Sequence, residues 1–472
     1  MTKILFVLLA IISFLPTQAH AFCGFYVAKA DASLFNEASK VVLARHDDRT
    51  VMTMANDFKG DTKDFAIVIP VPTVIKKSQV NVGDSKIIDH IDAYTAPRLV
   101  EYHDSDPCQK MYRREMMTMS MADSAAAPRV LQKSAKKLGV KIEESYTVGE
   151  YDILVLSATQ SGGLFKWLNQ EGYKLPKGAE KVLKSYIKQD MKFFVAKVNL
   201  DKFEKTGYTY LRPLQVAYES PKFMLPVRLG NLNAKGPQDL LLFTLTKNGR
   251  VEPTNYRTTK IPTGDEIPLY VADEFGEFYK AMFSKSVEKE NMKTVMLEYA
   301  WNMAWCDPCA ADPVPNKDLK KMGAWWIGQG YNNKPTPRPV PMPGQPIPRI
   351  MPSPKSGAVD VFVTRMHVRY TADSFPEDIM LQTTDDKKNF QGRYVMRHPF
   401  KGEAQCEAAG TYYEGLKKRF DKEAKTLANL TGWNVNDIRA KMAKNGQSFK
   451  DCLLYTSPSP RDQRGSRMPS SA

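Results

Sequence analysis

The sequence predicts an α+β fold with mixed, mostly antiparallel sheets and packed helices. Strand-like alternation and helical periodicity occur along the chain in no strict order, whereas a doubly wound sheet would show regular alternation of the two. Of the 472 residues, 43% are hydrophobic and 25% are charged. This composition is typical of globular proteins and excludes disorder for the bulk of the chain. At about 150 residues per domain, the length predicts two or three domains.

The N-terminus has the three parts of a secretory signal peptide. Lys3 supplies the positive charge, residues 4–15 are apolar, and residues 19–21 form a small-x-small cleavage site. We therefore expect residues 1–21 to be removed, so that the mature chain begins at Phe22 in the periplasm or outside the cell. No later apolar run reaches the about 20 residues of a membrane span, so the mature chain is expected to have no transmembrane segment.

The other end changes character abruptly. Residues 453–472, LLYTSPSPRDQRGSRMPSSA, resemble a translated sequencing adapter. We expect this segment to be an artefact and exclude it from the fold, which leaves open whether the adjacent Cys452 is native.

The formal net charge is +15. The lysines are spread without dense tracts, which predicts a solvated basic surface and no specific nucleic-acid partner. The sequence does not identify the partner. An envelope polymer and another exported protein are both compatible with the positive charge.

The first block, residues 22–110, predicts a small antiparallel sheet and a helix. Short apolar or alternating runs indicate strands at residues 24–30, 40–45, 51–55 and 65–70. A helix is predicted over residues 84–94, because Asp84 offers an N-cap and Ile87, Ile88 and Ile91 share one face.

A methionine-rich linker or lid, residues 111–138, precedes a central α+β block, residues 139–334. Helices are predicted at residues 164–169 and 178–189. Strands are predicted at residues 140–148, 151–158, 192–199, 208–218, 224–228 and 240–247. The pair Asn248-Gly249 predicts a type I′ hairpin after the last of these strands.

The final part of the chain begins with a proline-rich spacer, residues 335–354, which cannot join a sheet. A C-terminal strand and helix block, residues 355–451, follows. Its predicted elements are strands at residues 359–370 and 393–398 and an amphipathic helix at residues 412–430 that packs on the sheet.

Seven motifs, taken in their order and spacing, resemble one known family. They are FCGFYVAKADASLFNEASKVVLAR, DFAIVIPVP, DHIDAYTAPRLVEY, VGEYDILVLSA, NYRTTKIP, EYAWNMAWCDPCAADP and NFQGRYVMRHPF. Together they resemble the bacterial family of domains of unknown function numbered 2330, over nearly all of the mature chain. The resemblance implies export and a full-length family architecture, and it carries no catalytic or ligand residue to transfer.

Cys306 and Cys309 form a Cys-Asp-Pro-Cys motif after Trp305. A structural disulfide is the favoured interpretation. The alternatives are a catalytic dithiol, which needs a stabilised thiolate at a helix N-terminus, and a metal site. The acidic Asp307 argues against the dithiol, because a negative charge raises the pKa of a neighbouring thiol.

The remaining cysteines of the body are Cys23, Cys108 and Cys406. In an exported protein they are expected to form disulfides. Pairing Cys23 with Cys108 would tie the two ends of the first block together, which leaves Cys406 without an obvious partner.

No metal is expected, but one weak candidate exists. A copper(I) site could use the thioethers of Met116, Met117, Met119 and Met121, since soft ligands bind this ion. Methionines also fill gaps and occur in flexible segments.

A ladder of basic residues marks the strand at residues 359–370. Arg365, His367 and Arg369 alternate with apolar residues and line one face. If Arg393 and Arg397 lay on a neighbouring strand, the five would form an anion-binding surface. A solvated sheet face is the preferred interpretation.

The sequence contains neither a nucleophilic serine elbow nor a glycine-rich phosphate loop. We therefore expect an exported cell-envelope protein that acts as a binding or structural factor, without catalytic apparatus or cofactor. The alternatives are a thiol-disulfide oxidoreductase using Cys306 and Cys309, and a copper-binding protein.

Overall fold

Nineteen strands and seven α-helices lie within the residues that the computed structural model describes. These residues are 25–28, for which only the backbone is described, and 39–56, 65–108, 140–170, 175, 178–199, 211–233, 236–304, 314–328 and 359–448. The fold is α+β, and most strand pairs are antiparallel, which confirms the predicted class.

The strands and helices have the following bounds. The strands are β1 (Phe25–Ala28), β2 (Ser39–His46), β3 (Arg49–Asn56), β4 (Phe65–Val71), β5 (Val80–Val82), β6 (Arg98–His103), β7 (Lys141–Val148), β8 (Tyr151–Ser157), β9 (Lys192–Val198), β10 (Leu214–Glu219), β11 (Met224–Leu225), β12 (Gln238–Thr246), β13 (Val251–Pro253), β14 (Arg257–Lys260), β15 (Thr294–Asn302), β16 (Phe362–Tyr370), β17 (Ile379–Thr383), β18 (Phe390–Gln391) and β19 (Arg393–His398). The helices are α1 (Ser85–Thr95), α2 (Ser161–Gln170), α3 (Ala179–Lys188), α4 (Phe275–Lys289), α5 (Asn316–Lys321), α6 (Glu407–Thr431) and α7 (Val435–Lys444).

The described residues fall into two units, each assembled from three stretches of chain. Those of unit 1 lie within Met1–Pro97, Ala125–Ile261 and Val287–Gly392. Those of unit 2 lie within Arg98–Ser124, Pro262–Ser286 and Arg393–Ala472. The consecutive blocks proposed from the sequence stay a prediction.

Unit 1 contains three sheets. The largest has the order β14-β15-β16-β12-β2-β3-β10-β5, with β18 also paired to β15. A five-stranded sheet has the order β1-β4-β9-β8-β7, and a small one the order β11-β17-β13. The single small sheet expected for the first block is therefore wrong, because β2 and β3 join one sheet whereas β1 and β4 join another through pairing with the distant β9.

The predicted hairpin at Asn248-Gly249 is also wrong. Strand β13, which follows this turn, pairs with β17 rather than with β12. Both edges of β12 are already occupied, because β2 pairs with it in parallel and β16 pairs with it antiparallel. The local turn signal is thus overridden by long-range pairing.

Helix α1 forms where the sequence predicted it. The carboxylate of Asp84 accepts a hydrogen bond from the backbone N–H of Lys86 and caps the helix. Its apolar face, which includes Ile88 and Ile91, is buried in a core with residues of β2, β12 and β15. Asp92, on the same helix, lies next to Lys40 of the large sheet.

Unit 2 is built on a two-stranded parallel sheet, β6 with β19, together with α6, α7 and the residues of α4 up to Ser286. Its core includes Tyr394 of β19, whose ring meets Phe278 edge-on at 4.7 Å between centroids. Within the described part of the chain, none of the helices combines the length and apolar character of a membrane span.

One disulfide joins Cys108 to Cys406 within unit 2. The predicted pairing of Cys108 with Cys23 is therefore wrong, and Cys23 itself lies outside the described residues. The reason is topological. Strands β6 and β19 are parallel, so the segments that follow them leave the sheet at the same end. Cys108 and Cys406 lie on these two segments, and their Cα atoms are 5.8 Å apart.

We expect the Cys108→Ser/Cys406→Ser variant to lose about 2–5 kcal/mol of unfolding free energy, because the bond constrains a very long loop of the unfolded chain. Urea unfolding of the oxidised protein measures this loss. Peptide mapping without reductant should recover the linked Cys108 and Cys406 peptides, and a Cys23 to Cys108 link would contradict the assignment.

Candidate functional site

The basic ladder predicted on β16 exists, but two of its three members are buried. Arg365 and His367 are 4% and 6% exposed, and they lie on the strand face opposite Met366 and Val368. Beside them lies Glu298 of β15, whose side chain is fully buried. The pairing of β15 with β16 shifts register between Leu297 and Tyr299, so Glu298 occupies a bulge. A bulge re-aims a side chain, here toward the two basic residues.

Arg365 is held by two carboxylates. Its Nε donates to Glu298 Oε2 at 2.6 Å, and its Nη1 donates to the Asp92 Oδ1 of α1 at 2.5 Å. The same Nη1 also donates to the backbone carbonyl of Asp92 at 2.9 Å. Lys40 of β2 lies 2.8 Å from Asp92 Oδ2. The arginine therefore links the strand pair β15 and β16 to α1 and, through Asp92, to β2.

His367 lies between Glu298 and Asp239, and Arg369 pairs with Asp239. His367 Nδ1 lies 3.2 Å from Glu298 Oε1, and its Nε2 lies 3.6 Å from Asp239 Oδ1 of β12. Arg369 donates to both carboxylate oxygens of Asp239, at 2.8 and 2.6 Å. We call the seven residues the buried ionic cluster. Its members are Lys40, Asp92, Asp239, Glu298, Arg365, His367 and Arg369.

Pairing within the cluster favours the charged forms of His367, Asp239 and Asp92. Burial alone would lower the pKa of His367, but hydrogen bonds and charge from Asp239 and Glu298 outweigh it, and the pKa is raised. Burial would raise the pKa of Asp239, yet His367 and Arg369 bring it far below its usual range. The pKa of Asp92 is likewise lowered, because Arg365 and Lys40 outweigh its burial.

Arg393 and Arg397 do not lie on a strand that pairs with β16, which was the condition for the proposed anion surface. Arg393 and Arg397 lie on β19, which pairs with β6 in unit 2, whereas the neighbours of β16 are β12 and β15. Arg397 donates to Glu266 at 2.9 Å within its own unit. The preferred alternative, a solvated sheet face, is also wrong, because α1 covers Arg365 and acids from neighbouring elements satisfy the ladder.

Several other candidates lie outside the described residues. They are Cys306 and Cys309, Cys452, the methionines Met116, Met117, Met119 and Met121, and the proline-rich residues 335–354. Their proposed roles stay predictions.

A group that sequence reasoning missed lies at the end of β6 and β19. Glu101, His103 and His398 each offer a ligand atom, and these atoms lie within 4.8 Å of one another. Glu101 and His398 are 297 positions apart in the chain, so no local spacing could have revealed the group. Only the parallel register, which sets His103 opposite His398, brings them together.

We expect Arg365→Met to lower the unfolding free energy by about 3–5 kcal/mol, since it leaves the buried Glu298 without its arginine and removes one of the two cations that pair with Asp92. Arg369→Met is the matched control, because its ion pair is partly exposed and should contribute only about 1 kcal/mol. Chemical denaturation of both variants measures the difference, and equal losses would show that Glu298 does not depend on Arg365.

The raised pKa of His367 predicts how the unfolding free energy depends on pH. Since its pKa is raised in the folded state, its protonation stabilises the fold below about pH 6.5, and this stabilisation is lost as the pH rises through the raised pKa. The loss of unfolding free energy in His367→Gln should therefore be larger near pH 6 than near pH 9. A loss independent of pH would mean that His367 is neutral in the cluster.

Comparison with known proteins gives one family. The family model described as "Uncharacterized protein conserved in bacteria (DUF2330)" matches residues 17–382. No curated protein and no solved structure shows significant similarity to the chain. Since the match covers most of the sequence, it confirms the resemblance, and the chain belongs to the DUF2330 family of bacterial proteins.

Proposed function

We propose that this protein is exported and acts in the cell envelope as a binding or structural factor rather than as an enzyme. The Cys108–Cys406 disulfide carries the proposal. Structural disulfides persist in oxidising compartments and are rare where thiols are kept reduced. The signal-peptide pattern of residues 1–21 supports the same location.

The buried ionic cluster supports a role without catalysis. Catalytic acids and bases need access to substrate and a pKa close to the working pH. In the cluster, burial excludes substrate from Arg365 and His367, and the pKa of Asp239 is held far below the working pH. The cluster therefore acts as internal structure.

One carboxyl group of unit 2, that of Glu423, has a pKa near neutral pH, but it is poorly placed for catalysis. Burial raises the pKa of Glu423 to about 7, against hydrogen bonding from Gln447 and the charge of Arg419. The side chain is 1% exposed and accepts a hydrogen bond from Gln447 Nε2 at 2.7 Å. Its location within the packed α6 argues for a structural role as well.

Cell fractionation followed by N-terminal sequencing tests the proposed export. The mature protein should be recovered from the periplasm or medium with Phe22 as its first residue, because cleavage is expected after residue 21. Recovery from the cytoplasm with Met1 retained would contradict export.

The rival function is thiol-disulfide exchange by Cys306 and Cys309. We expect the purified protein to reduce insulin no faster than free dithiol, and the Cys306→Ser variant to behave identically. Turnover that is lost in Cys306→Ser, while the variant keeps the unfolding midpoint of the parent, would replace the binding role with an oxidoreductase.

A further inference from the structure

Three side chains with metal-binding atoms converge at one end of the β6 and β19 pair. In the parallel register, Glu101 lies opposite Met396 and His103 opposite His398. Because side chains alternate along a strand, Glu101 and His103 share a face of β6, and His398 extends from the corresponding face of β19. The sheet thus collects two imidazoles and one carboxylate on a single surface.

The group is open to solvent and its atoms are close. The side chains of Glu101 and His398 are 54% and 22% exposed, so an ion can reach them. Glu101 Oε2 lies 2.8 Å from His398 Nε2. The rings of His103 and His398 stack with centroids 4.4 Å apart and 9° between their planes.

We propose that Glu101, His103 and His398 bind a divalent transition metal ion of the zinc class. Two imidazoles and one carboxylate form a known ligand set for Zn²⁺, and three protein ligands leave a coordination position open to water or to a further ligand. Imidazole nitrogen selects such ions over Ca²⁺ and Mg²⁺, which prefer oxygen ligands. The inference names a ligand for the binding role proposed above and rests on that role.

The frame around the three ligands is fixed on both strands. Immediately after His103, the backbone N–H of Asp104 donates to the carbonyl of His398 at 2.9 Å. The Asp104 carboxylate then accepts hydrogen bonds from Arg419 at 2.6 Å and Tyr412 at 2.7 Å, both on α6. The Cys108–Cys406 bond links the two chain segments a short distance further on.

This anchoring favours metal affinity. Ligands that are held near their bound positions lose less conformational entropy when the ion binds. Coordination would require the hydrogen bond between Glu101 and His398 to open, and the backbone pairing of the two strands does not depend on that bond.

Calorimetric titration of the oxidised, chelator-treated mature protein with ZnCl₂ tests the inference. We expect one saturable site, with affinity reduced roughly tenfold or more in His103→Ala and His398→Ala and less strongly in Glu101→Gln. His90→Ala, which removes a half-buried histidine from α1, is the matched control and should bind like the parent protein. X-ray absorption at the zinc edge should show nitrogen and oxygen ligands, including imidazole.

Three results would overturn the inference. They are the lack of saturable binding, an affinity unchanged in His398→Ala, and a sulfur shell around the metal, which would point to cysteine or methionine instead. If either alanine variant fails to fold by circular dichroism, Glu101→Gln decides the question, because an exposed carboxylate can be neutralised with little effect on folding. A protein that is exported but binds no zinc refutes this inference and leaves the proposed export intact.

Discussion

The large sheet of unit 1 depends on the pairing of Arg365 with Glu298. Both side chains are almost fully withdrawn from water, and an ion withdrawn in this way is tolerated only when its partner and its remaining hydrogen bonds are supplied. Glu298 of β15 supplies one oxygen to Arg365 and the other to His367, so two residues of β16 share one acid. Through Asp92 the same arginine reaches α1, and the helix is thereby fixed on the sheet by charge as well as by its apolar face.

Such a cluster contributes more to specificity than to net stability. Burying an ion pair is often close to neutral in free energy, whereas breaking one is strongly unfavourable. Both faces of β16 are buried, so a slip of one residue would turn Arg365 and His367 into the apolar layer that Met366 and Val368 now fill. The charges therefore select one register from several that the hydrophobic pattern alone would permit.

The sequence allowed much of this arrangement to be predicted, but not its partners. The cap at Asp84 and the spacing of Ile88 and Ile91 are local signals, and α1 lies where they indicate. The alternation on β16 was equally readable. The carboxylates that contact Arg365 could not be predicted, because a bulge directs the side chain of Glu298 and because Asp92 lies on a helix 273 positions away in the chain. The hairpin predicted at Gly249 was wrong for a related reason, because strands remote in sequence pair with both edges of β12.

Unit 2 is stabilised by a covalent link, whereas ion pairs stabilise the large sheet of unit 1. A sheet of two strands is marginal in water, and parallel pairing is the weaker kind, so β6 and β19 need support from outside their own ladder. Asp104 provides part of it through Arg419 and Tyr412, and the Cys108–Cys406 bond provides the rest. Because that bond requires oxidation, it would strengthen the register that sets His103 beside His398 once the chain, as proposed, reaches an oxidising compartment. Export, disulfide formation and competence of the histidine pair to bind a metal ion would then follow one another in that order, and a chain retained in the reducing cytoplasm would hold the same residues without the covalent link that fixes them together.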